Sequence, residues 1–527
     1  MPLSVFRETM NRRELLKKAT GFAAAAGFER IAGAKSTRGS QTPSALRSRL
    51  AHDPRRPQFH LLPAANWMND PNGPIYWNNR YHMFFQYNPN GAYWGDMHWA
   101  HAVSPDMVHW KHWPIALSPT PGGPDAAGCF TGTIVVDKGV ASALYTGVVD
   151  ASLQNATIND GEHLFRESQC LATSTDAELK NWSKLPHPVI AAPPPGLQVT
   201  GFRDPSPWRS GDWWYLAVGS GARGHGGRVL LYRSKDLRKW DYLHFLARGA
   251  SSGKNAANPV ASGDMWECPD FFRLDGKHVL IYGSMGKVHW QSGILDEKEM
   301  RFHPERSGIL DFGSYYAAKT QLDDNGNRIV WGWIPESRPL AEYKAAGWAG
   351  MMSLPRVLTL DGDGHLRLEI SPAVHMLRGR RQTLAPGANA GSRLAHLGIE
   401  NATGEIVGRI RPGHEPFTLA LTGQLPRGPL SEPLVKLEFD PKTPDQILAG
   451  GMPMPLRGQP QQPIEFHMYV DGSVAEVIVQ NSAAYTKRFY YPGSVAPRVQ
   501  LQVEGTASIA SLSVWEIVPI SPDRLTT

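Results

Sequence analysis

Three acidic residues sit in frames that make them candidates for chemistry. Asp70 lies in Trp67-Met68-Asn69-Asp70-Pro71-Asn72-Gly73, Asp204 in Gly201-Phe202-Arg203-Asp204-Pro205, and Glu267 in Trp266-Glu267-Cys268-Pro269-Asp270. Taken singly, each has a plainer reading: Asp-Pro-Asn-Gly as turn chemistry, Arg203-Asp204 as a local ion pair, and Glu267 as a buried acid satisfied by backbone donors. The frame of Glu267 resists that reading most, because apolar and aromatic neighbours disfavour a charged carboxylate and suit a general acid. Cys268 beside it is small enough to tune such a pocket. Taken together, the acids point to one reaction class. Two carboxylates flanking one bond are the minimum for glycoside hydrolysis, and a separation of ~5–5.5 Å supports retention through a covalent intermediate.

The three motifs are 134 and 63 residues apart, so the fold must gather them. From about Pro57 to Leu368 the chain shows strand-length runs bounded by turn residues, such as Tyr81-His82-Met83-Phe84-Phe85 and Trp213-Trp214-Tyr215-Leu216-Ala217-Val218. A weak repeat runs through them. Ser104-Pro105-Asp106 leads to Trp110, Ser174-Thr175-Asp176 to Trp182, and Ser234-Lys235-Asp236 to Trp240, with starts 70 and 60 residues apart. One propeller blade per repeat predicts about five blades over 57–368, with inner strands converging on one axis. The three Trp residues read as blade packing. Beyond residue 385, short alternating strands and an Asp471-Gly472 hairpin signal predict a β-sandwich over 385–520. The expected class is therefore all-β, a five-bladed β-propeller followed by a C-terminal β-sandwich.

The motifs in this order resemble glycoside hydrolase family 32, the invertase, inulinase and levanase family. Phe85-Gln86-Tyr87-Asn88-Pro89, Trp94-Gly95-Asp96-Met97-His98-Trp99-Ala100-His101 and Trp348-Ala349-Gly350 strengthen the resemblance, particularly to its plant-type invertases. It implies a retaining β-fructofuranosidase acting on sucrose or fructan oligosaccharides, without metal or other cofactor. Asp70 would be the nucleophile at the anomeric carbon C2 and Glu267 the acid/base. Asp204, helped by Arg203, would hold sugar hydroxyls and stabilise the transition state. Asn69, Gln86, Trp94, Phe130 and Thr131 would line the fructose subsite, with Tyr316 and Trp333 as further matches. Thr131 stands where Ser is common, and Ser314-Tyr315-Tyr316 replaces the usual acidic–aromatic–Tyr run. The same site used on an acceptor sugar would make a fructosyltransferase; without catalysis it would make a carbohydrate-binding protein.

Composition narrows the alternatives. With 41% hydrophobic and 19% charged residues the chain reads as globular. Residues 1–34 carry six Lys/Arg against three Asp/Glu, so half of the formal +6 lies there, and no basic run suggests a nucleic-acid groove. Asn11-Arg12-Arg13-Glu14-Leu15-Leu16-Lys17, an apolar stretch and Ala32-Gly33-Ala34 predict a twin-arginine-type signal over 1–34, hence an exported, periplasmic or secreted protein, with a linker over 35–56. No apolar run is long enough to span a bilayer. Three cysteines, Cys129, Cys170 and Cys268, exclude a disulfide framework and a Cys-rich metal site. His98 and His101, three residues apart, read as framework rather than metal ligands.

Overall fold

Short β-prone runs punctuated by Gly, Asn and Asp fold into antiparallel sheets wherever each run is too short to bury an apolar face alone. In the computed structural model, which describes residues 44–384, 397–458 and 462–521, five such sheets succeed one another along the chain. Blade I comprises Asn66–Trp77, Arg80–Asn88, His98–Ser104 and Lys111–Leu117; blade II is built on Gly128–Asp137, Val140–Asp150 and Leu164–Ser174. Blade III comprises Phe202–Ser210, Trp213–Ala222, Gly226–Ser234 and Asp241–Arg248, and blade IV Glu267–Leu274, Lys277–Ser284, Lys287–Asp296 and Arg301–Ile309. Blade V comprises Tyr316–Leu322, Arg328–Ile334, Arg356–Leu360 and Leu366–Ile370. The first strand of each blade packs against the first strand of the next, and that of blade V against that of blade I, which closes a ring. The axis is lined by these five inner strands.

Blades adhere through apolar side chains. Leu144 and Leu171 of blade II meet Trp214, Leu216 and Val218 of blade III in one buried cluster. Trp348-Ala349 pairs in parallel with Asn66-Trp67 and joins the last blade to the first. Gly350 follows at φ +77°, where a Cβ would fall 2.0 Å from the Met68 carbonyl oxygen, so only glycine fits that closure.

The Ser-x-Asp repeat is a real structural unit. The carboxylates of Asp106, Asp176 and Asp236 accept backbone N–H groups of the turns they begin. Met107, Leu179 and Leu237 take positive φ in those turns, and their carbonyls accept the indole N–H of Trp110, Trp182 and Trp240. These tryptophans serve packing, with Trp110 edge-on to Trp331.

The C-terminal part is a sandwich-like sheet. Its long strands Thr403–Leu425 and Arg498–Ile517 run side by side through both layers. The first pairs at one end with Ile464–Asp471 and at the other with Val435–Phe439, across an irregularity between Pro412 and Phe417. Between the layers lies a buried core that includes Ile406, Leu419, Leu437, Phe466 and Val477. Asp471 and Val474 close the hairpin around Gly472 at φ +60°. A second cluster joins the two parts: Tyr469, Ile478 and Ala484 of the sandwich pack with Phe59, Leu358 and Val374. Residues Ser44–Ala51, inside the stretch read as a linker, form a helix. The expected signal lies outside the described residues. No described helix is long and apolar enough to cross a membrane, and all three cysteines are free and buried.

Candidate active site

Each inner strand carries the same irregularity at the same height. Two residues on the inner strand oppose one on its neighbour, a β-bulge, between Met68 and Pro71, Cys129 and Gly132, Arg203 and Ser206, Glu267 and Asp270, and Tyr316 and Lys319. A bulge bends the strand and re-aims the side chains on it. Three of the bulges open with a non-glycine residue at positive φ: Asp204 at 64°, Cys268 at 48° and Ala317 at 51°. Such backbone is strained, and its recurrence at one height marks a built site. The bulges and the residues just before them carry Asn69, Asp70, Phe130, Thr131, Arg203, Asp204, Glu267, Cys268 and Tyr316, so residues scattered over the sequence come to one end of the axis.

Cys268 touches all three acids. It follows Glu267 in the chain, its backbone N–H donates to Asp204 Oδ2 at 2.8 Å, and its Sγ lies 3.5 Å from Asp70 Oδ2. Asp70 Oδ2 also accepts the Thr131 hydroxyl at 2.6 Å, and Asp70 Oδ1 accepts Asn69 Nδ2 at 3.1 Å. Asn69 is oriented in turn by the Trp67 indole N–H, 2.7 Å from its Oδ1. Glu267 Oε1 receives Arg203 Nη2 at 2.7 Å, and Oε2 receives the Tyr316 hydroxyl at 2.7 Å. This corrects the apolar frame expected for Glu267. Its carboxylate is clasped by a guanidinium from blade III and a phenol from blade V, while Trp266 stacks on Tyr282 with centroids 3.8 Å apart.

Crowding three acids has an electrostatic consequence. Burial raises the pKa of Asp70 above its ordinary value, against the Thr131 hydrogen bond, and the charge of Glu267 adds to the rise. Asp204 is pushed up to about 7, chiefly by burial; Arg203 opposes the rise while Glu267 and Asp70 reinforce it. Arg203 is the compensating cation.

The remaining expected residues fall around this centre. Phe130 packs edge-on to Trp94 at 5.9 Å, and Trp94 is 38% exposed, a rim rather than a floor. Gln86 is buried and donates to the Cys129 carbonyl at 3.1 Å. Trp333 faces Tyr316 across the strand pair of blade V and lies edge-on to Trp67 at 5.9 Å. His98 and His101 part company: His98 Nδ1 contacts the Asp96 carbonyl at 2.5 Å, whereas buried His101 pairs with His82 at 2.9 Å.

One functional residue escaped the sequence reading. Glu167, fully buried in blade II, accepts Arg203 Nη1 at 2.9 Å and the Phe202 backbone N–H at 2.6 Å, and so fixes the guanidinium that grips Glu267. The available signal was a single acid within the strand run Leu164-Phe165-Arg166-Glu167-Ser168-Gln169-Cys170-Leu171-Ala172.

Comparison with known proteins agrees with this geometry. The profile of the glycosyl hydrolases family 32 N-terminal domain matches residues 60–370, and that of the family 32 C terminal matches 426–516. The chain is 34% identical over 482 residues to a sucrose-6-phosphate hydrolase of Escherichia coli, covering 88% of this chain and 94% of the relative. It is 32% identical to an Escherichia coli raffinose invertase, covering 87% and 94%. A solved variant of the Bombyx mori GH32 beta-fructofuranosidase in complex with sucrose superposes with a TM-score of 0.71 at 26% identity, covering 90% of this chain and 97% of that one.

Proposed function

The chain belongs to glycosyl hydrolases family 32, and from that membership we propose that it is a retaining β-fructofuranosidase, with sucrose or the non-reducing end of a β-linked fructan as substrate. The observation that carries the reading is the meeting of Asp70, Asp204 and Glu267 around Cys268. Relatives that act on sucrose or its phosphate, and a neighbour crystallised with sucrose, support the substrate class.

The chemistry follows from the contacts. Asp70 attacks C2 of the fructosyl unit and forms a C2–oxygen bond, while Glu267 delivers a proton to the departing glycosidic oxygen. The same carboxylate then takes a proton from water, whose oxygen displaces Asp70 and regenerates it. Donors from Thr131 and Asn69 keep the Asp70 carboxylate aimed. Asp204 faces the ring hydroxyls, and aromatic faces of Trp94 and Phe130 suit sugar C–H groups.

Reducing-sugar release from sucrose, inulin and levan tests the proposal. Wild type is expected to release fructose with retained configuration, while Asp70→Ala and Glu267→Ala lose roughly 10²–10⁴-fold or more in kcat. Inactivity of the wild type on all three sugars overturns hydrolysis, and trisaccharides in excess of free fructose reassign the enzyme as a transferase. The twin-arginine-type stretch supports export. Its replacement by Arg12→Lys and Arg13→Lys should leave the protein in the cytoplasm of a bacterial host, and unchanged export refutes that reading.

A further inference from the structure

Where blade V passes into the sandwich, a short 3-10 helix, Pro372–Leu377, lays His375 against two sandwich strands. Glu405 stands on Thr403–Leu425 and His467 on its partner Ile464–Asp471, two residues along in register. One ligand atom each from His375, Glu405 and His467 lie within 4.8 Å of one another. His467 Nε2 is 2.5 Å from Glu405 Oε1, and the His375 ring stacks toward the His467 ring with centroids 6.2 Å apart. His375 Nε2 is buried and has no hydrogen-bond partner. An orphaned buried nitrogen costs roughly 1–3 kcal/mol, which a ligand at that atom would offset.

Further donors hold Glu405 in place. Arg378 grips the carboxylate through Nε on Oε2 at 2.7 Å and Nη2 on Oε1 at 2.6 Å, and the Tyr469 hydroxyl adds 3.0 Å to Oε1. Partners of this kind orient a ligating carboxylate. They also place a cation beside it, which limits affinity.

We propose that His375, Glu405 and His467 form a three-ligand site for a divalent transition cation of the zinc class, tying the last propeller blade to the sandwich. Two imidazoles and one carboxylate select zinc, cobalt or nickel over magnesium and calcium. Tetrahedral coordination at ~2.1 Å sets ligand atoms ~3.4 Å apart, so the widest pair must close by about an ångström while His467 Nε2 and Glu405 Oε1, 2.5 Å apart, must open by about as much. The half-buried rings of His375 and His467 can rotate that far. The site is independent of the reaction assigned to the three acids.

The test uses the untagged full chain stripped with chelator and titrated with zinc chloride, with cobalt chloride as the spectroscopic probe. One equivalent of zinc should bind and raise Tm at neutral pH, and cobalt should develop the visible absorption of a low-coordinate site. His375→Gln and His467→Gln should each weaken zinc affinity about 10–100-fold and abolish the Tm rise. No binding by the wild type overturns the proposal. Binding of equal affinity in both variants also overturns it, since the metal would then sit on others of the 19 histidines. Should either variant fail to fold, the other variant and the wild-type cobalt spectrum decide.

Discussion

Thr131 presents its hydroxyl to Asp70 Oδ2 from 2.6 Å, across the seam between blades I and II. A hydrogen bond to a charged acceptor contributes about 1.5–3 kcal/mol. Thr131→Val keeps the volume and removes the donor, so kcat/KM on sucrose should fall roughly 10–100-fold. The same bond lowers the pKa of Asp70 against burial. Its loss should therefore move the acid limb of the pH–rate profile to higher pH. Thr131→Ser should stay close to wild type in both measurements. A Val variant with unchanged rate and unchanged acid limb would remove Thr131 from the mechanism.

Glu167 is a positioning residue: it touches Arg203, not the expected place of the sugar. Glu167→Gln keeps an acceptor for the Phe202 N–H but weakens the hold on the guanidinium. Because small misplacements near reacting groups cost large factors in rate, kcat should fall about 10-fold or more with KM less affected. Steady-state kinetics with a thermal melt separates this from simple destabilisation. A lower Tm with unchanged kcat would make Glu167 structural only.

How far the sequence speaks varies from residue to residue. The three acids announce themselves because aromatic, Pro and Gly frames around a carboxylate are uncommon, and the blades because Asp106, Asp176 and Asp236 start the same turn. The surroundings of Glu267 do not. The bulge after Glu267 breaks regular strand alternation, so Trp266 and Cys268 do not report what meets its carboxylate, and the groups on Glu267 are Arg203 and Tyr316 from other blades. The five bulges are equally silent in sequence, since they exist only in the pairing register of two strands. The run ending at Tyr316 departs from the family pattern at Ser314, where an acid is usual, yet the Tyr316 hydroxyl meets Glu267, because the bulge before Lys319 sets its direction.

Asp204 makes the stability of the enzyme depend on pH in a defined sense. Its folded pKa of about 7 lies above the ordinary 3.8, chiefly through burial. The folded state thus binds this proton more tightly than the unfolded chain. Its stabilising contribution is complete below about pH 4 and is lost as pH rises through about 7. Asp204→Asn carries no such proton. Relative to wild type, the variant should gain roughly 4 kcal/mol between pH 4 and pH 8. Denaturant unfolding of both proteins across that range measures the difference, and a constant gap would contradict it.

His60 should produce a second pH dependence, in a higher window. Its Nδ1 lies 2.8 Å from Asp471 Oδ2 and its Nε2 3.0 Å from Glu476 Oε1, so one imidazole joins the entry to the propeller with the sandwich hairpin. The neighbours leave little freedom: Asp471 also accepts the Gln58 and Phe59 N–H groups, and Glu476 accepts Arg356. Burial lowers the pKa of His60, but the hydrogen bonds and charges of the two carboxylates outweigh it and raise it to about 9. With a folded pKa above the ordinary 6.5, the contribution is complete below pH 6.5 and disappears as pH rises through 9. The shift corresponds to about 3 kcal/mol. His60→Gln retains one donor and does not titrate, so it should be less stable than wild type at pH 6 by about that amount and nearly equal at pH 9.5 or above. Unfolding at pH 6, 8 and 9.5 checks the convergence. Parallel curves for the two proteins would mean that the imidazole is neutral in the folded chain.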